Sequence, residues 1–176
     1  MKPHAYLSGL LVLGSLVAGC SSNNSSTTPS PAASSTTYTA ALVPSNEVPP
    51  VSGSEAGGSG TATLTLHLTK DSSGSVTAAS LDVTVSVSNF PTNTALTASH
   101  IHSGAPGVNG GIYVSFGLAP GDATFATGSG SFTKSNVTMT ADQANSILAN
   151  PGAFYVNIHT AANPGGVARG QLNRAQ

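Results

Sequence analysis

Five histidines are spread through a chain of 176 residues that has only one cysteine and six acidic side chains. The spacing with most chemical content is His100-Ile101-His102. On an extended strand, residues i and i+2 project from the same face, so two imidazoles can share one cation. A third candidate is His159, which ends the run Phe154-Tyr155-Val156-Asn157-Ile158-His159. There Phe154, Val156 and Ile158 form an apolar stripe and send Tyr155, Asn157 and His159 to the opposite side. By the same parity Ile101 takes the apolar side, so all three histidines are expected to face out of the core on an accessible surface. An all-imidazole site favours copper or zinc, whereas calcium or magnesium needs several carboxylates. Here Glu47, Glu55, Asp71, Asp82, Asp122 and Asp142 stand singly. A His pair alone is a weak signal, and the plain alternative is three solvated polar residues on an exposed face. His67 lies among threonines with no neighbouring ligand type and reads as a surface residue.

Other chemistries find less support. There is no paired-carboxylate pattern of a glycosidase, no serine elbow, and no phosphate-cradling glycine loop leading into a helix. The glycine-rich run Gly104-Ala105-Pro106-Gly107-Val108-Asn109-Gly110-Gly111 is flanked by strand patterns and reads as a turn-rich connection that fixes the geometry behind His102. Only 6% of residues are charged, against roughly 25% in an ordinary soluble domain, and the formal net charge is −1. No basic field exists to neutralise phosphates, which excludes nucleic acid as a partner.

The elements that must position these residues are strands. With 20 Gly, 11 Pro and no Trp, the composition favours short strands and many turns. Period-two alternation recurs in Thr61-Ala62-Thr63-Leu64-Thr65-Leu66-His67-Leu68, in Leu81-Asp82-Val83-Thr84-Val85-Ser86-Val87 and in Ile112-Tyr113-Val114-Ser115-Phe116. Strands are expected near 38–43, 60–68, 76–88, 97–102, 111–117, 123–133, 153–159 and 167–173. About eight strands with turn-rich links predict an all-β fold, a Greek-key β-sandwich or flattened barrel. One short helix is predicted at 140–148, where Thr140 followed by Gln143 is a capping box and Asn150-Pro151-Gly152 is a stop.

The amino-terminal segment bears on location. Residues 1–19 have a short n-region with Lys2 and an interrupted apolar stretch, too short and weak to span a membrane but fitting an export signal. The small residues before Cys20 resemble a bacterial lipobox, in which the signal is cut before the cysteine and its thiol is acylated. Cys20 is then a lipid anchor in the membrane, and residues 20–37, rich in Ser, Thr and Pro, form a flexible tether with a reach on the order of 20 to 25 Å. The folded domain is placed at 38–174. Ser21 is not the aspartate that resembles an inner-membrane retention signal, so the expected location is the bacterial cell envelope, at the outer membrane or cell surface.

Three ordered blocks carry a family resemblance: Glu47-Val48-Pro49-Pro50; His100-Ile101-His102-Ser103-Gly104 with Gly107 and Asn109-Gly110; and Tyr155-Val156-Asn157-Ile158-His159-Thr160 followed by Asn163-Pro164 and Arg169-Gly170-Gln171-Leu172. Together they resemble the chordin-type (CHRD) domain over about 38–174. In animal chordins such domains occur in extracellular proteins that bind growth factors. The layout is similar to the copper/zinc superoxide dismutase sandwich, whose copper site also uses a His-X-His strand and a late histidine. The resemblance thus implies copper as cofactor for His100, His102 and His159. Where the family pattern commonly has a glutamate before Arg-Gly-Gln, this chain has Val167. Arg169 is set to pair with Glu47, to bind an anion, or to satisfy loop carbonyls.

The leading reading is a lipid-anchored, non-enzymatic domain that binds a copper-type ion or an envelope or extracellular protein partner. A mononuclear copper redox enzyme and a structural or adhesive envelope module are the alternatives. The dinuclear dismutase is excluded by ligand count, since it uses six histidines and an aspartate and His4 is lost with the signal.

Overall fold

The computed structural model describes Met1 and residues 30–176. The export-signal reading, Cys20 and residues 21–29 of the expected tether lie outside the described residues. Ten strands and one helix follow in order: β1 (Ala32–Leu42), β2 (Ser59–Lys70), β3 (Val76–Ser88), β4 (Thr94–Ser103), β5 (Ile112–Ser115), β6 (Thr124–Phe125), β7 (Gly130–Met139), α1 (Ala141–Ala149), β8 (Phe154–Thr160), β9 (Ala168–Gln171) and β10 (Asn173–Arg174). One antiparallel sheet has the order β10-β1-β2-β3-β7; the other runs β5-β4-β8-β9, with β6 paired to β4. The sheets face each other as an open sandwich, not a closed barrel.

Alternation explains the core. Leu64, Leu66, Val83 and Val85 from the first sheet meet Ile101, Val114, Val156 and Ile158 from the second, each at most 4% exposed. Burying such side chains contributes roughly 1.5 to 3 kcal/mol apiece, so the fold stands on its own apolar interior. The helix forms where the capping box lies: the Thr140 hydroxyl accepts from the Gln143 N–H at 3.1 Å, and the Gln143 carboxamide accepts from the Thr140 N–H at 2.8 Å. Ala144 and Ile147 of α1 are buried.

Several strand boundaries differ from the sequence expectation. β1 starts at Ala32 and not near Tyr38; Ala32 pairs with Lys70 and Thr37 with Thr65, so residues 32–37, expected to be tether, are strand. Ala32, Ala33, Ser34 and Ser35 are exposed and add no core, but their backbone satisfies the edge of β2. The single strand expected at 123–133 is two, β6 and β7, because the Phe90 N–H donates to Gly128 O and the Gly128 N–H to Phe125 O, closing a turn between them. The last expected strand also divides, and β10 crosses to pair with β1 in the other sheet.

Register places the histidines. Across the second sheet His100 faces Asn157, which faces Arg169; His102 faces Tyr155, which faces Gln171; Ala98 faces His159. These side chains share the face opposite Ile101 and Val156.

Candidate metal centre

The structure brings His100, His102 and His159 together. Ring centroids lie 5.5 Å apart for His100 and His102, 5.0 Å for His100 and His159, and 6.2 Å for His102 and His159. One ligand atom from each lies within 4.8 Å of the others, and His100 Nδ1 is 3.1 Å from His159 Nε2. Nitrogens bound to one ion at about 2.0 to 2.1 Å in a tetrahedron sit about 3.3 Å from each other. The cluster is thus close enough to hold a metal ion.

Backbone carbonyls set the tautomers. Gly110 O is 2.9 Å from His102 Nδ1, and Pro164 O is 2.9 Å from His159 Nδ1. A carbonyl only accepts, so each Nδ1 carries the proton and donates it. Each Nε2 is left with its lone pair free, that of His159 lying 3.1 Å from His100 Nδ1, and a carbonyl on the opposite nitrogen is the arrangement that orients imidazoles toward an ion. His102 Nε2 is buried with no hydrogen-bond partner among the described residues. Burial holds the His100 ring well below its ordinary value, at about 4, with smaller contributions from His159 and His102. His159 is lowered too, chiefly by burial, against the Pro164 hydrogen bond that raises it. Both rings are therefore neutral at pH 7, the form that coordinates.

The expected accessible surface is corrected. His102 and His159 are buried, as is the whole of β8, and only His100 is half-buried. Parity correctly turns these residues away from the apolar core, but loops then cover that face. The 104–111 connection packs over His102; at Gly110 a Cβ would lie 1.3 Å from Ser103 O, so only glycine allows this close approach. The 161–166 turn covers His159, and the segment 44–52 packs against both loops. Asn109 Nδ2 donates to Val48 O at 2.7 Å, and Glu47 Oε1 lies 2.6 Å from the Cβ position of Gly166.

Arg169 and Glu47 do not form an ion pair; the two pairs among the described residues are His67–Asp82 and Lys134–Asp122. Of the three roles open to Arg169, contact with loop acceptors is the one observed: Nη1 donates to Asn109 Oδ1 at 2.9 Å and to Val108 O at 3.3 Å. Its guanidinium carbon lies 4.4 Å over the Tyr155 ring, which stacks on His102 at 5.0 Å and 8°. The Gly110 N–H donates to the Tyr155 hydroxyl at 3.3 Å, which anchors the residue whose carbonyl orients His102. Glu47 is 6% exposed and lines two grooves of about 390 and 380 Å³. Burial pushes its carboxyl up to about 7, despite the opposing charge of Arg169.

His67 lies on the other sheet, half-exposed and 3.0 Å from Asp82 Oδ2, a partner that adjacency in sequence does not reveal. Sequence reasoning also assigned no role to Tyr155, Asn157, Gly110 or Pro164. Parity put Tyr155 and Asn157 beside His159, which was the available signal; the two carbonyls had none.

No curated protein and no solved structure matches the chain. The CHRD domain family matches residues 38–172, and this span contains all three histidines and the loops that orient them. The chain belongs to the CHRD domain family.

Proposed function

We propose that this CHRD domain is a binding module for a copper-type ion, held by His100 Nδ1, His102 Nε2 and His159 Nε2. The observation that carries this reading is the pair of carbonyl-fixed tautomers, Gly110 O on His102 and Pro164 O on His159, which leave each Nε2 free to coordinate in a cluster whose ligand atoms lie within 4.8 Å of one another. Nothing in the apolar fold requires three imidazoles to be gathered in this way. Imidazole donors without a carboxylate among them suit copper or zinc over magnesium or calcium. Calorimetric titration of the purified, chelator-treated protein with copper and with zinc should show one site. His100→Ala, His102→Ala and His159→Ala should each weaken it by at least about 10- to 100-fold, and His67→Ala should leave it unchanged. Failure of the wild type to bind either ion stoichiometrically would overturn the reading.

The domain acts, in this proposal, from a lipid anchor at Cys20 in the cell envelope, where an envelope or extracellular protein is a second class of partner. Support comes from the lipobox-like residues before Cys20 and from the polar, uncharged run that follows it. No helix among the described residues is long and apolar enough to cross a membrane. A fatty-acid analogue should label the wild type and not Cys20→Ser; equal labelling of both would refute the anchor.

A further inference from the structure

We infer that Asn157 is a fourth donor to the same ion, its Oδ1 completing an N3O set; the inference rests on the metal reading above. Asn157 is 2% exposed and sits at the middle of the roofed face, directly across from His100 and two residues before His159 on the same strand. Its Oδ1 is 2.9 Å from His159 Nε2. That nitrogen has no proton to give, because the proton of the neutral ring is on Nδ1 and is donated to Pro164 O. A carboxamide oxygen has none either. Two lone-pair atoms thus face each other at hydrogen-bond distance, with His100 Nδ1 3.1 Å from the same Nε2. The oxygen and nitrogen lone pairs of Asn157 Oδ1 and His159 Nε2, facing at this distance, repel unless a cation lies between them. The alternative, a carboxamide turned over so that Nδ2 donates to His159 Nε2, makes Asn157 a plain hydrogen-bond partner of the apo ring.

The two arrangements have different consequences. As a donor, Asn157 supplies a neutral, hard oxygen beside three imidazoles, a set that suits divalent copper or zinc over the softer cuprous ion. Asp in its place keeps the oxygen and adds a charge, so it should bind divalent ions more tightly. As an amide donor to the ring, Asn157 cannot be replaced by Asp, which has no N–H when ionised.

The test uses the full-length protein loaded with Cu(II) and read by competitive titration and by electron paramagnetic resonance. Asn157→Leu should bind Cu(II) about tenfold or more weakly and change the copper hyperfine splitting, while Asn157→Asp should bind more tightly than wild type. Wild-type affinity and an unchanged spectrum in Asn157→Leu would overturn the inference while His159→Ala still abolished binding. So would loss of binding in a folded Asn157→Asp. A wild type that binds neither copper nor zinc would overturn the metal reading beneath it. Circular dichroism establishes folding for each variant, and should Asn157→Leu not fold, the isosteric Asn157→Asp decides alone.

Discussion

Glu47→Gln should stabilise the domain at pH 8 and leave it nearly unchanged at pH 4.5. The Glu47 carboxyl is held at about 7 in the folded chain, against 4.5 for the free group, chiefly because burial penalises its charge. A folded-state value above the unfolded one means that the native state binds the proton more tightly. The stability linked to that proton is complete below about pH 4.5 and is lost as pH rises through 7. At 1.36 kcal/mol per unit the ceiling is about 3 kcal/mol, and solvent in the grooves beside the carboxyl screens this to about 2 kcal/mol. Glutamine has nearly the same shape and no charge to bury, so it escapes the penalty. For a chain of this size about 2 kcal/mol corresponds to a rise of about 4 to 8 °C in Tm. Thermal unfolding of the two proteins followed by circular dichroism from pH 4.5 to 8 should therefore give curves that coincide at the acid end, separate progressively between about pH 4.5 and 7, and run parallel above that. Curves that stay parallel over the whole range would refute the burial argument. A variant less stable than wild type at pH 8 would show instead that the Glu47 carboxylate pairs with Arg169.

Two further expectations concern the frame around the site. Arg169→Ala removes the donor to Asn109 and Val108 and the cation over Tyr155, which should destabilise by roughly 1 to 3 kcal/mol in chemical unfolding. Arg169→Lys keeps the charge but not the fork, and should weaken metal binding by about 10-fold through the 108–110 loop if that loop orients His102. Thr140→Ala deletes the acceptor of the capping box and should cost about 1 kcal/mol, seen as a lower denaturation midpoint with an unchanged slope.

The fold was legible wherever side-chain alternation had one apolar face. Leu64, Leu66, Val83 and Val85 announce their strands, and the Thr140/Gln143 pair announces α1, because local chemistry decides those elements. Ala32–Thr37 was illegible for the opposite reason: it is a strand whose stability comes from backbone pairing with β2 and not from its own side chains. Parity on β4 and β8 turned the three histidines away from the core, but it says neither that the two strands pair, which the structure shows, nor what lies above their sheet. The burial of His102 and His159 depends on loops from 44–52, 104–111 and 161–166 arriving over one face, a long-range event. So do the contributions of Gly110 O and Pro164 O, since every residue carries a carbonyl and only the fold selects which one meets an imidazole.

The most direct test of the metal centre is anomalous diffraction from crystals of the protein grown with copper and, separately, with zinc. A single peak about 2.0 to 2.1 Å from His100 Nδ1, His102 Nε2 and His159 Nε2, with both Nδ1–H groups still on Gly110 O and Pro164 O, is the expected result. Metal bound elsewhere, with His100 Nδ1 and His159 Nε2 still 3.1 Å apart and joined only to each other, would contradict it.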